Sequence, residues 1–310
     1  MTAAGDDKTL IVIVGPTAVG KTQVAVHLAE HFTTEIISAD SRQIFREMNI
    51  GTAKPSQDER KAAKHHFIDS HSVMESYDAA AYGKDALMVI QELFKTHQHV
   101  VLCGGSGLYV KAVCEGFDDI PDIPQEIRQS LIADYERFGI GWLQEKMRVL
   151  DPKHYSSIDN MNPHRLIRAL EVVMETGKSI VSFRKRVRHQ HPFRIVKIGL
   201  DLPKEELNHR IDTRMDAMIA AGLIQEAQAL YRFKDHQALK TVGYQEVFDM
   251  MEGKYDEAEM IRLLKRNSRH YAKRQLTWFR RDPEIIWMNP FDIDEIISAV
   301  SSAGKASRDQ

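Results

Sequence analysis

The sequence is poor in cysteine and contains no long hydrophobic run. Its two cysteines, Cys103 and Cys114, do not form a C-x-x-C pair, and no cysteine and histidine pattern of the zinc-finger type is present. This argues against structural zinc, and we expect both cysteines to be reduced core residues. Residues 1–9 are polar, and the apolar run after them is five residues long, too short for a signal peptide or a membrane span. We therefore expect a cytoplasmic protein with no membrane contact.

Internal repeats and low-complexity tracts are also absent, and the net charge is only −2. A chain of 310 residues with 43% hydrophobic content can bury a full core, as an ordinary globular protein does. The small net charge hides a local bias, because cations collect at residues 184–189 and again between residues 262 and 281.

The most informative pattern is the segment GPTAVGKT at residues 15–22, which fits the phosphate-binding pattern G-x-x-x-x-G-K-[ST]. It follows the apolar run Leu10–Val14 and precedes the helix-forming residues 23–30. Backbone N–H groups, a helix N-terminus and Lys21 then surround one cavity that holds two linked phosphates, and Thr22 offers a hydroxyl to Mg²⁺. The alternative is an ordinary glycine turn. The predicted diphosphate-binding residues of this loop are Gly15, Pro16, Thr17, Ala18, Val19, Gly20, Lys21 and Thr22.

Strand-like and helix-like segments alternate along much of the chain. This order predicts an α/β fold, a P-loop NTPase-like, mainly parallel sheet flanked by helices, with ligands at the carboxyl ends of the strands. Gly15, Asp40 and Gly104 each follow such an end. The predicted strands are Leu10–Val14, Glu35–Ser38, His66–Asp69, His99–Cys103, Ile195–Leu200 and Ile285–Met288.

The alternation stops between Phe117 and Phe193, where a proline-containing breaker at residues 118–124 precedes consecutive helices. We interpret this region as a helical insertion domain. Its predicted helices are Glu126–Phe138, Gly141–Leu150 and Pro163–Thr176. The predicted domains are residues 1–120 (first part of the P-loop core), 121–191 (insertion), 192–300 (second part of the core, with a basic C-terminal helix) and 301–310 (disordered tail).

A helical projection of residues 262–280 gives one basic face and one apolar face. The five cations have no acid among them and lack i,i+4 partners, which favours RNA as a partner over a merely solvated surface. The cations are Arg262, Arg266, Arg269, Lys273 and Arg280, and the apolar residues are Leu264, Tyr271 and Trp278.

One acidic residue that hydrolytic P-loop enzymes normally have is missing. The strand ending at Cys103 runs into Gly104–Gly107 instead of an acid that helps to hold Mg²⁺. Asp40 ends another strand and is either a general base facing the phosphate loop or a turn cap.

His65 and His66 point to opposite faces of a strand and have no third ligand at suitable spacing, which favours packing or tRNA contact over a metal site.

Taken together, these motifs resemble the bacterial tRNA dimethylallyltransferase (tRNA isopentenyltransferase) family over residues 10–281. The phosphate loop alone occurs in many families, whereas the Asp-Ser-x-Gln, Ile-Gly-Thr-Ala-Lys-Pro and Ala-Lys-Arg-Gln-x-Thr-Trp blocks together are specific to this one. The matching blocks are Gly15–Thr22, Ser38–Gln43, Asn49–Pro55, His65–Asp69, Gly104–Tyr109, Arg168–Val172, Val242–Tyr244 and Tyr271–Trp278.

The resemblance implies transfer of the dimethylallyl group of dimethylallyl diphosphate to the exocyclic amine of the adenosine 3′ of the tRNA anticodon, with release of diphosphate. It assigns diphosphate binding to Lys21, Thr22 with Mg²⁺, and Arg214, and proton acceptance from the amine to Asp40. Ser106 stands where the family usually has threonine, and His164 where it has glutamine. The implied catalytic residues are Asp40, Ser106, Lys21 and Arg214. The implied tRNA-binding residues are Asp40, Ser41, Arg42, Gln43, Ser106, Arg128, His164, Arg165, Leu166, Ile167, Arg168, Lys273 and Arg274.

Competing hypotheses make different predictions. A phosphotransferase acting on a nucleotide or small molecule predicts ATP turnover and does not need the basic helix. A non-catalytic RNA-binding module that responds to nucleotide predicts tRNA binding that survives loss of Asp40. Relatives that prenylate free AMP or ADP are a closer alternative, and the helical insertion with Arg165 and Arg168 favours tRNA, bound through its anticodon stem-loop by a monomeric protein.

Overall fold

The computed structural model describes residues 8–118, 120–183 and 190–303 of the chain, and within these ranges it contains six β-strands and thirteen α-helices. The chain divides into two compact units. The sheet unit comprises the described residues up to Gly116 and those from Gln190 onward, and the helical unit comprises the described residues from Phe117 to Phe183. The domain boundaries predicted from the sequence, after residues 120 and 191, lie a few residues later.

The sheet unit is built on one parallel sheet, with the strand order β3-β2-β4-β1-β5-β6, so the predicted α/β class is confirmed. The third strand is shorter and earlier than predicted, because Phe67 and Asp69 have positive φ angles of 60° and 57° that interrupt an extended chain. The strands are β1 (Thr9–Val14), β2 (Ile36–Ser38), β3 (His65–His66), β4 (His99–Gly104), β5 (Arg194–Leu200) and β6 (Ile285–Met288).

Both faces of the sheet are covered. In β1 every residue is buried, and successive side chains enter opposite apolar layers, Ile11 and Ile13 one layer, Leu10 and Val12 the other. The helices of this unit are α1 (Lys21–His31), α2 (Gln57–Ala62), α3 (Ala79–Leu93), α4 (Gly107–Cys114), α9 (Lys204–Ala220), α10 (Leu223–Leu230), α11 (Tyr244–Met251), α12 (Glu257–Phe279) and α13 (Ile293–Ala303).

The helical unit has its own apolar core, formed around Leu131, Leu143 and Leu170. Gly139, with a φ of 76°, separates the first two helices, and the Asn162 side chain caps the last by accepting a hydrogen bond from the Arg165 N–H. The short helix α7, which the sequence did not predict, is capped by its preceding aspartate and has proline in its first turn. The helices are α5 (Gln125–Phe138), α6 (Ile140–Leu150), α7 (Pro152–Tyr155) and α8 (Pro163–Thr176), followed by a 3₁₀ turn, Ile180–Phe183.

The structure also describes the two cysteines and part of the predicted C-terminal tail. Cys103 and Cys114 are free and buried, as predicted. Helix α13 continues to Ala303, three residues into the tail that the sequence predicted to be disordered, because Ile296 and Val300 pack into the core. The cationic cluster at residues 184–189 and the rest of the predicted tail, 304–310, lie outside the described residues. No described helix is both long and apolar enough to cross a membrane.

Candidate active site

A cavity of about 700 Å³ opens at the carboxyl ends of β1, β2 and β4. Several elements separated in sequence contribute to its wall, including the phosphate loop, the segments after β2 and β4, and helices α9 and α12. This is the edge where a parallel sheet binds its ligands. The predicted site residues that line the cavity are Thr17, Ala18, Gly20, Lys21, Thr22, Asp40, Arg42, Gln43 and Arg214.

At two positions the phosphate loop adopts a conformation that glycine permits without strain. Gly15 has a φ of 148°, and a Cβ there would lie 2.7 Å from the carbonyl oxygen of Leu200. Gly20, with a φ of 109°, directly precedes α1, which begins at Lys21. The N-terminal N–H groups of α1 and its dipole therefore favour an anion beside Lys21 and Thr22.

The site is cationic and partly shielded from water. Lys21 donates a hydrogen bond from Nζ to the carbonyl oxygen of Pro16 at 2.7 Å. Burial lowers the pKa of Lys21 to about 8, against the opposing effects of Cys103 and Asp40. Burial also lowers the pKa of Arg214, whose guanidinium remains charged. Two desolvated cations of this kind gain much from a bound diphosphate.

Asp40 has features of both hypotheses made for it. Its Oδ1 accepts hydrogen bonds from the N–H groups of Arg42 at 2.9 Å and Gln43 at 3.3 Å, so it caps the turn that follows β2. Its Oδ2 accepts no hydrogen bond from the described residues, and the side chain lines the cavity. One oxygen therefore fixes the carboxylate, and the other is available to a hydrogen-bond donor in the cavity.

Gln43 is oriented by the loop at residues 49–53. Its Nε2 donates to the carbonyl oxygens of Thr52 at 3.2 Å and Ala53 at 3.1 Å, and its Oε1 lies 3.4 Å from the Ser38 hydroxyl. Because an amide nitrogen has two hydrogens and both are used, Gln43 can only accept a hydrogen bond from a ligand in the cavity.

Ser106 lies next to the cavity wall and not in it. Its hydroxyl accepts a hydrogen bond from the Ser41 N–H at 2.9 Å and donates one to the Ser41 hydroxyl at 3.1 Å. The residues at the end of the preceding strand, β4, that do line the cavity are Cys103 and Gly104. Ser106 therefore connects the segments after β2 and β4 through Ser41.

Sequence reasoning missed two residues that support the phosphate loop. The Gln275 side chain of α12 accepts a hydrogen bond from the Thr17 N–H at 2.8 Å and donates one to the carbonyl oxygen of Gly105 at 2.9 Å. Arg210 donates from Nε to the carbonyl oxygen of Ala18 at 2.9 Å. Its spacing of four residues from Arg214 puts both on one face of α9, which is a signal that could have found it.

A second cavity of about 480 Å³ shares Arg42, Thr241, Val242 and Tyr271 with the first, and Glu246 also lines it. Three cations line it, Arg42, Lys240 and Arg274, together with Ser41. Sequence reasoning named all of these except Lys240. Cations beside an aromatic ring, in a cavity that adjoins the phosphate loop cavity, suit a nucleic-acid backbone and a base.

The expectation of an unpaired basic face over residues 262–280 is wrong for three of its five cations. Arg262 pairs with Glu259, Arg269 with Asp212 and Arg280 with Asp201, each at 2.6 Å. The helical projection missed these pairs because none of the acids lies within residues 262–280. Glu259 is three residues before Arg262 on α12, Asp212 lies on α9, and Asp201 follows β5.

Ion pairs also involve the cations of the helical unit. Arg168 lies 2.5 Å and Arg128 3.3 Å from the carboxylate of Glu171, whose side chain is 2% exposed, and Arg165 lies 3.5 Å from Asp159. Leu166 and Ile167 are buried in the core of the unit, which excludes their side chains from the predicted tRNA contact. His164 lies in the exposed first turn of α8.

Metal-binding candidates are few. The described residues include no group of three or more His, Cys, Asp or Glu side chains able to hold a metal ion. His66 pairs with Glu35 at 2.5 Å and His65 bonds to the carbonyl oxygen of Ala63 at 2.8 Å, which agrees with packing roles. Thr22 at the start of α1 fits Mg²⁺, because this ion is commonly bound by one or two protein oxygens, water and substrate phosphates.

Comparison with known proteins identifies the family of the chain. Residues 43–282 match the profile of the IPP transferase family. The chain belongs to this family. It is 46% identical to the tRNA dimethylallyltransferase of Cytophaga hutchinsonii over 96% of this chain and 97% of that one, and 51% identical to that of Christiangramia forsetii over 92% and 94%. The structure of the full-length tRNA isopentenylpyrophosphate transferase of Bacillus halodurans has a TM-score of 0.71 and 37% identity, covering 97% of this chain and 99% of that chain. The resemblance found in the sequence is confirmed.

Proposed function

We propose that this member of the IPP transferase family transfers the dimethylallyl group of dimethylallyl diphosphate to the exocyclic amine of the adenosine 3′ of the anticodon in tRNA, releasing diphosphate. The observation that carries the proposal is one cavity in which a phosphate loop with Lys21 and Arg214 faces the carboxylate of Asp40. The strand β4 ends in Gly104 without the acid that hydrolytic P-loop enzymes use. Similar proteins named tRNA dimethylallyltransferase support the same activity.

The diphosphate end of the cavity stabilises the leaving group. When the bond between the allylic carbon and its oxygen breaks, negative charge develops on the diphosphate, and Lys21, Arg214 and the N–H groups at the start of α1 meet it. We propose Mg²⁺ as the cofactor, with Thr22 as its protein ligand, and its chemistry is to neutralise charge on the phosphates.

The amine end of the cavity must activate a poor nucleophile, since the lone pair of the exocyclic amine is delocalised into the adenine ring. The Asp40 Oδ2 accepts the amine proton as the new carbon–nitrogen bond forms, and the Gln43 Oε1 accepts a hydrogen bond from the same amino group. A base stacked in the anticodon loop cannot enter this cavity, so it must be extruded from the stack.

The proposed tRNA contacts fall into two sets. At the second cavity, Arg42, Lys240 and Arg274 suit the phosphates on either side of the extruded base. In the helical unit, the half-exposed Arg165 is better suited to phosphate contact than Arg168, which is closely paired with Glu171. We further propose that the protein acts as a monomer.

The proposal is tested by incubating the protein with labelled dimethylallyl diphosphate, Mg²⁺ and unmodified tRNA, followed by mass analysis of the nucleosides. We expect a five-carbon unit on one adenosine beside the anticodon and no comparable ATP hydrolysis. Robust ATP turnover without prenylation would indicate a phosphotransferase, and prenylation of free AMP but not tRNA would indicate a different acceptor.

A further inference from the structure

Glu226 of α10 accepts four hydrogen bonds, although it lies outside the motifs used above. Its Oε2 accepts hydrogen bonds from the N–H groups of Asn49 at 3.0 Å and Ile50 at 2.8 Å. Its Oε1 accepts one from the Gly51 N–H at 3.0 Å and one from the Tyr244 hydroxyl at 2.6 Å. Four donors on one carboxylate fix the loop at residues 49–51 strongly, because hydrogen bonds to a charged acceptor are about twice as strong as neutral ones.

Packing adds a second constraint on this loop. Tyr244 is fully buried, and a Cβ at Gly51 would lie 2.6 to 2.8 Å from atoms of its ring, so only glycine lets the loop pack this closely. Burial and the hydrogen bond to Glu226 raise the pKa of Tyr244, so its hydroxyl stays a donor. Glu226 does not itself line the cavity, whereas Gly51, Thr52 and Ala53 do.

The loop in turn controls the groups that face the amine. The two carbonyl oxygens after Gly51, those of Thr52 and Ala53, accept both hydrogens of the Gln43 amide. Gln43 therefore presents its oxygen, beside the carboxylate of Asp40. An amino group can donate to both acceptors, whereas a ring carbonyl at the same position would be repelled by them.

We propose that Glu226 is a positioning residue that makes the site selective for a base bearing an exocyclic amine, because it fixes the loop whose carbonyls hold Gln43 as an acceptor. The inference rests on the proposed prenyl transfer to adenosine. It predicts that Glu226 affects the reaction of bound tRNA and the choice of base far more than diphosphate binding, because the loop meets the diphosphate site only through the long contact, 3.5 Å, between Arg214 and the carbonyl oxygen of Ala53.

The main test is the Glu226→Gln variant, assayed well below its melting temperature. The substitution places an N–H group against backbone N–H donors, so the loop shifts and kcat for tRNA prenylation falls at least about tenfold. The Kd for dimethylallyl diphosphate stays within about twofold. The matched control is Tyr244→Phe, which keeps the ring against Gly51 and leaves three backbone donors on Glu226, and we expect kcat to stay within about threefold.

A double-mutant cycle separates positioning from general stability. If Glu226 acts through Gln43, Glu226→Gln combined with Gln43→Ala is no slower than Gln43→Ala alone. Base choice gives a second measurement. An anticodon stem-loop with hypoxanthine at the target position should inhibit tRNA prenylation weakly in the wild type and more strongly in the Glu226→Gln variant. A merely structural role for Glu226 predicts additive losses of kcat in the double mutant and an unchanged choice of base.

The outcomes are distinguishable from failure of the proposed function. If the wild type transfers no prenyl group to tRNA, the function fails. If the wild type is active and Glu226→Gln matches it, or the two substitutions are additive, the positioning role is overturned. If the Glu226→Gln variant does not fold, the Gly51→Ala variant displaces the same loop and keeps the carboxylate of Glu226. The proposal then requires the same loss of kcat in Gly51→Ala, and no further loss when Gly51→Ala is combined with Gln43→Ala.

Discussion

At the scale of single residues, Asp40 combines a cap and a proposed base in one carboxylate. The Asp40→Asn variant keeps an oxygen to accept the N–H groups of Arg42 and Gln43, so the turn persists, but it cannot take up a proton at neutral pH. We expect kcat to fall at least about a hundredfold while tRNA affinity stays within a few-fold. Single-turnover kinetics and tRNA titration measure the two effects, and equal losses in both would assign Asp40 a capping role alone.

Lys21 gives the diphosphate site a predictable pH dependence. Because burial lowers its pKa to about 8, the lysine in the free protein is mostly charged at pH 7 and mostly neutral at pH 9. A bound diphosphate favours the charged form, so affinity falls as pH rises through 8, and binding at pH 9 takes up a proton. Calorimetry in buffers with different ionisation heats measures this uptake. Lys21→Met should bind weakly without that uptake, and the same uptake in this variant would assign the proton to another group.

At the scale of an element, helix α8 separates a stabilising arginine from one available to RNA. Arg168→Gln leaves the buried Glu171 with only the longer contact to Arg128, and we expect a loss of about 1–2 kcal/mol of unfolding free energy because Arg168 is itself 42% exposed. Arg165→Gln should change stability by less than about 0.5 kcal/mol. Urea unfolding of both variants checks the contrast, and equal losses would contradict it.

At the scale of the whole molecule, the two substrates should be separable by mutation. Arg165→Gln should reduce the slope of log K for tRNA against log salt by about one unit and leave the Kd for dimethylallyl diphosphate unchanged. Lys21→Met should do the reverse, weakening diphosphate binding with little effect on tRNA. Titration of a fluorescent anticodon stem-loop at several salt concentrations is the measurement. An unchanged slope with unchanged affinity would remove Arg165 from the tRNA site.

Much of the sheet and of the phosphate site could be predicted because the signals are local. Residues 15–22 carry the whole phosphate loop in one segment, and the apolar strands before Gly15, Asp40 and Gly104 fix which edge of the sheet they share. The third strand was misplaced because the positive φ angles of Phe67 and Asp69 leave no signal in the hydrophobic pattern. The ion pair of Arg269 with Asp212 was missed because its partner belongs to another helix.

The sequence by itself determined the fold class, the phosphate loop and the family, since each depends on residue types at short, fixed spacing. Only the tertiary structure decided how the site is held. Gln275 bonds to Thr17 across 258 positions of the chain, and Glu226 to Gly51 across 175. Such contacts depend on how helices pack onto a sheet, and no periodicity within a segment encodes the partner. For the same physical reason, only the structure decided which arginines form ion pairs. It also decided that Gln43 presents its side-chain oxygen to the cavity as a hydrogen-bond acceptor.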